Sequence, residues 1–173
     1  MEKQTFQYGT AQNLNANQFE KEHYVFGGWK STNGRIFDDQ QSVQNLTDTD
    51  GATIILTATW KEKDYTGEPY NIILHSNNGS DTTQEVAAEF GVNKTLPKNT
   101  FTKDHYDFKG WSSFPSNHNV IYVDEDVVKV NHPEVIGGNT LNLYAVWDIQ
   151  KYTVEFINGN ETITQTIEYG STV

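Results

Sequence analysis

Apolar and polar positions alternate through most of this chain, with β-branched and aromatic residues on the apolar phase, a pattern that predicts strands. The segments that carry it are 5–8, 24–29, 53–60, 70–75, 84–90, 107–111, 140–147, 151–157 and 162–169. Asn77-Asn78-Gly79 and Asn158-Gly159-Asn160 are turn signals, so the strands on either side of each predict a hairpin. Helical periodicity is weak. One or two turns are expected at 15–22 and 99–103, with another at 42–46; the first would lay Phe19 on a sheet while Glu20, Lys21 and Glu22 face water. The expected class is mostly β, α+β, with one short helix in each unit.

The pattern also repeats. Lys21-Glu22-His23-Tyr24-Val25-Phe26-Gly27-Gly28-Trp29 returns 82 positions later as Lys103-Asp104-His105-Tyr106-Asp107-Phe108-Lys109-Gly110-Trp111. The strands that close on Trp60 and Trp147 lie 87 apart, which places five extra residues in the second copy, most simply within 117–138. Tyr70 and Tyr152 open similar strands, again 82 apart, and Tyr8-Gly9, Phe90-Gly91 and Tyr169-Gly170 mark a further shared step. The expected modules are therefore 1–64, lacking its first strand, 65–150, complete, and 151–173, the opening strands of a third. The core is expected around Phe26, Trp29, Ile55, Trp60, Phe108, Trp111, Leu143 and Trp147.

Composition narrows the function. Cysteine is absent, which removes disulfides, thiol catalysis and thiolate metal sites. The formal net charge is −11 without a basic patch, so nucleic acid is not an expected partner. This stretch carries no long apolar run and no signal-peptide pattern. Nucleophile-elbow, P-loop, zincin and dinucleotide motifs are missing, so the chain reads as non-enzymatic and without a cofactor. A hydrolase would need convergent carboxylates.

The Tyr-x-Phe-x-Gly-Trp segments, the closing strand from Leu143 to Trp147 and the opening strand from Tyr152 to Gly159 resemble the Listeria–Bacteroides repeat. That family includes the B-repeat of the internalins. The resemblance implies tandem ubiquitin-like β-grasp modules in a stalk on a bacterial surface or cell wall, and no shared catalytic residues. His23 and His105 stand where the family usually has Gly.

Candidate chemistry is sparse. The Trp residues could stack on sugars but read more simply as core pegs; Tyr65, Tyr70 and Phe114 are the better candidates for exposed binding rings. The histidines lack metal-ligand spacing, so no metal site is expected. Asp48-Thr49-Asp50-Gly51 lacks the later ligands of a calcium loop and reads as a turn, and Asp124-Glu125-Asp126 is a dense carboxylate run. Lys21 and Lys103 are the repeated lysines an isopeptide staple would need, but flanking charge places them in solvent. The expected function is a spacer in adhesion whose partners are neighbouring modules; the alternative is a glycan- or host-protein-binding module using its loops. Residues 151–173 are also expected to be able to complete the first module of another molecule by head-to-tail strand exchange.

Overall fold

The computed structural model describes residues 1–116 and 118–171, which divide into two compact units, Met1–Asp64 and Tyr65–Val173. Asn117, at the start of the expected insertion loop, and Thr172 and Val173, at the end of the tail, lie outside the described residues. The first unit contains β1 (Gln12–Asn13), β2 (Tyr24–Ser31), β3 (Ile36–Phe37), β4 (Ser42–Val43) and β5 (Leu56–Glu62). Its main sheet has the order β3-β2-β5, and β1 pairs with β4. The second unit contains β6 (Pro69–His75), β7 (Thr83–Glu89), β8 (Lys94–Thr95), β9 (Tyr106–Ser112), β10 (Val127–Val128) and β11 (Thr140–Ile149). Here the sheet order is β7-β6-β11-β9, and β8 pairs with β10. β12 (Lys151–Asn158) and β13 (Glu161–Glu168) form a separate antiparallel hairpin around Gly159 and Asn160.

Corresponding residues make corresponding pairs. β2 and β5 are antiparallel, with Phe26 opposite Trp60 and Gly28 opposite Thr59; β9 and β11 place Phe108 opposite Trp147 and Gly110 opposite Val146. Gly27 and Lys109 are each the extra residue of a bulge, which turns the Phe and the Trp three positions on to one face. Val43 pairs with Gln12 as Val128 pairs with Lys94. Phe37 lies opposite Trp29 as Tyr122 lies opposite Trp111. These pairs also locate the inserted residues. Three lie between Trp111 and Tyr122 and two between Val128 and Thr140, so the insertion is divided rather than confined to one loop. Nor is that stretch wholly surface: Val128 and Val130 are core residues.

The expected helices do not form; among the described residues the only helical element is a 3-10 turn, Pro133–Ile136. At 15–22 and 99–103 an asparagine explains why. The Asn17 side chain accepts from Phe19 N–H and donates to Phe19 C=O at 3.0 and 2.8 Å, and Asn99 brackets Phe101 at 3.0 and 3.1 Å. Such local bonds hold the backbone extended and compete with helix. Residues 42–46 instead supply β4. The strand expected at 5–8 is also absent: Gln7 N–H donates to the Gln12 side chain at Oε1, and just past the segment Gly9 N–H donates to Asn45 Oδ1. The short strands β1, β3, β4, β8 and β10 are too brief to show a period.

The glycine before each tryptophan is fixed by close approach. Gly28 and Gly110 have φ of +106° and +143°, and a Cβ on them would sit 2.7 Å from Phe37 O and 2.5 Å from Tyr122 O. Gly110→Ala is expected to destabilise the second unit by about 2–4 kcal/mol, from strain plus overpacking. Gly79→Ala, also at positive φ but with no atom within 4 Å, should cost only about 1–2 kcal/mol. Urea midpoints of the two variants check this.

Candidate functional site

The recurring feature is an aromatic cluster on the bulged strand. Phe26 meets Trp29 edge-on at 5.0 Å and Trp60 at 5.8 Å; Phe108 meets Trp111 at 5.0 Å and Trp147 at 5.6 Å. Phe19 and Phe101, held by their asparagine brackets, approach Trp29 and Trp111 at 6.1 and 6.2 Å. Trp29, Trp111 and Trp147 are buried, while Phe26, Phe108 and Trp60 are half-buried. These rings are packed against one another and do not present a flat exposed platform. Trp147 Nε1–H donates to Ser76 O at 2.8 Å, whereas Trp29 Nε1 and Trp111 Nε1 are buried without a hydrogen-bond partner.

The repeated cations and carboxylates are also occupied. Lys21 Nζ lies 3.6 Å from the centre of the Tyr24 ring and Lys103 Nζ 4.2 Å from that of Tyr106, so each covers an aromatic face. Asp124 Oδ1 accepts from Asn99 N–H and Asp126 Oδ1 from Val127 N–H, which spends part of the acidic run on backbone amides. Asp50 and Gly51 form a turn, closed by Ala52 N–H to Thr49 O. His23 and His105 have φ of +62° and +64°, the left-handed region that favours glycine. The His105 ring stacks on Tyr169 with centroids 3.4 Å apart, and His75 Nε2 lies 2.9 Å from Asn142 Oδ1.

The three candidate binding rings separate. Tyr70 is only 2% exposed, which corrects the expectation of an exposed ring: its strand lies between β7 and β11 and the ring packs on Phe90 at 4.7 Å. Tyr65 is half-buried against Phe90 and His132. Phe114 is 65% exposed on a turn held by Ser112 Oγ–H to Phe114 O at 2.7 Å and Asn77 Nδ2–H to Pro115 O at 2.9 Å. Asn77 Nδ2–H also donates to Ala145 O at 2.9 Å, tying that turn to the sheet. Ile55, expected in the core, is 59% exposed, because no strand pairs with the segment just before β5 and its side chain takes the outer phase. Sequence reasoning read Asn77 only as part of a turn and missed the brackets made by Asn17 and Asn99, whose only signal is an asparagine two residues before a phenylalanine.

The Listeria-Bacteroides repeat domain matches residues 1–50 and 70–146, and this chain belongs to that family. It is 30% identical over 161 residues to a protein of Evansella cellulosilytica named "Putative membrane protein". A second relative from that organism, named "Putative Gly-rich membrane protein", is 29% identical over 160 residues. The aligned regions take in 89% and 88% of this chain, which spans only 20% and 16% of those relatives. No solved structure matches. Among the described residues no helix is long and apolar enough to cross a membrane.

The buried Tyr70 ring also carries a titratable hydroxyl. Burial, followed by the nearby Tyr122, raises its phenol above the ordinary value of 10.0, although the backbone of Val130 acts in the other direction. Its hydroxyl is buried and makes no hydrogen bond of ordinary geometry. An acid whose folded pKa is raised leaves stability intact below its unfolded pKa and loses it as pH climbs through the folded value. Tyr70→Phe is therefore expected to be neutral or to stabilise by up to about 1 kcal/mol at pH 7. It should also reduce the loss of stability above about pH 10, measured by denaturation as a function of pH.

Proposed function

We propose that this chain is a non-enzymatic, load-bearing segment of a bacterial cell-surface protein, built of β-grasp-like units in tandem and serving as a spacer in adhesion. The observation that carries the reading is the parallel pairing of β6 with β11, from Asn71 opposite Thr140 to His75 opposite Tyr144. The chain enters this body at the start of β6 and leaves it at the end of β11. Tension along the chain therefore pulls two adjacent parallel strands in opposite directions. Their hydrogen bonds are loaded together in shear and do not open one at a time. Membership of the family and the likeness to proteins named as membrane proteins support a surface location. The reading assigns no catalytic residue.

A second reading, capture of a glycan or host protein, is favoured by Phe114 on its fixed turn. Single-molecule extension of the full chain tests the first reading. Unfolding of 69–149 should appear as a discrete event with a gain of about 25 nm, from about 3.5 Å per residue less the roughly 3 nm that already separates the two ends along the parallel strands. Gradual extension without that step would refute the load-bearing role. Glycan-array or host-extract binding that disappears in Phe114→Ala, with the melting temperature unchanged, would establish the second reading.

A further inference from the structure

Side-chain bonds cross the seam between β6 and β11 on opposite diagonals. The ladder ends with His75 opposite Tyr144, which sets Ser76 level with Ala145. On the core face Trp147 Nε1–H donates at 2.8 Å to Ser76 O, from two positions further along β11. On the outer face His75 Nε2 lies 2.9 Å from Asn142 Oδ1, two positions behind Tyr144. β11 is thus tied to β6 once from ahead and once from behind.

The carbonyl that takes the indole is itself held. Ser76 is fully buried, and its N–H donates to Thr82 O at 2.9 Å while its Oγ–H donates to Asn78 Oδ1 at 3.0 Å. Asn78 Nδ2–H donates in turn to Thr102 O at 2.7 Å. Asn77 Nδ2–H, on Ala145 O, pins the same end of β6 against β11. These bonds keep Ser76 from following a moving indole. Burial also keeps water from replacing the indole as the bond lengthens.

Load along the chain draws β6 toward its start and β11 toward its end. Trp147 is ahead of Ser76, so any slide carries the donor away from its acceptor. A slide of less than one residue, about 3.3 Å in a parallel pair, takes a bond of 2.8 Å past the roughly 3.5 Å at which it ceases to hold. Asn142 is behind His75, so the same slide brings those two level and slackens their bond.

We infer that the Trp147 indole N–H is a diagonal tie that sets the resistance of β6 and β11 to shear, and that the bond between His75 and Asn142 carries none of the load. This rests on the load-bearing reading of the second unit and names the residue on which its strength depends.

Constant-force extension of the full chain, read at the step from 69–149, tests the tie. Trp147→benzothienylalanine keeps the shape of the ring and puts sulfur in place of N–H. It should make that step about tenfold faster at a given force. His75→Phe keeps a ring against Tyr144 and removes the other bond, and its step should match the unsubstituted chain within about twofold. In urea, without load, the two variants should unfold at rates much closer to each other. His75 is half-buried on the outer face, so its substitution leaves the core intact and its arm of the test stands by itself. Equal acceleration under load by both variants, or a step that neither changes, would overturn the inference and leave the load-bearing reading in place. An unsubstituted chain that extends without the step would remove both.

Discussion

A backbone carbonyl pressed against a glycine is the constraint from which the rest of each unit follows. Phe37 O and Tyr122 O come so close to Gly28 and Gly110 that no side chain fits there. That approach aligns the crossing segment with the tryptophan, as Trp111 N–H donates to Tyr122 O at 2.7 Å and Ile121 N–H to Trp111 O at 2.8 Å. The bulge one residue earlier then directs Phe and Trp to the same side, where they meet edge to face at 5.0 Å in both places. Ring pairs in this geometry add about 0.5–1.5 kcal/mol beyond the area they bury. They offset part of the roughly 1–3 kcal/mol lost by leaving each buried indole N–H unbonded. Two small cores without disulfides are thereby organised around large rings, with aliphatic side chains packed about them.

Much of this was readable in the chain because it rests on residue types with few alternative uses. Long alternating runs gave β2, β6, β7, β9, β11, β12 and β13 nearly to their ends, and the turn at Gly159 fixed the last hairpin. Two kinds of feature were hidden. The first is local competition: the spacing around Phe19 fits a helix, and only the asparagine two residues earlier, by satisfying both backbone groups of Phe19, keeps it extended. The second is burial supplied by a distant strand. Tyr70 reads as an exposed ring at the start of a strand, but strands β7 and β11 flank β6, and β11 begins about 70 residues further on. Nothing near Tyr70 in sequence encodes that cover.

The same non-local cover explains why equal motifs do not give equal environments. β5 and β11 carry the same closing pattern, yet Trp60 is half-buried where Trp147 is buried. What differs is one neighbouring strand. Exposure in these units is thus a property of the sheet edge more than of the residue, and Ile55 follows the same rule.

Chain order adds a last constraint. β6 precedes β11 and runs parallel to it, so a connection of some sixty residues must cross between them, and the intervening β9 occupies the other side of β11. β12 leaves β11 after the single residue Gln150. It cannot join β11, whose two edges are already taken. The hairpin is instead held at its root, where Gln150 N–H donates to His105 O, Gln150 Nε2–H to Asp107 Oδ1, and Tyr169 stacks on His105. These contacts fix the hairpin where it leaves the sheet while leaving the Tyr152 and Phe156 side chains open.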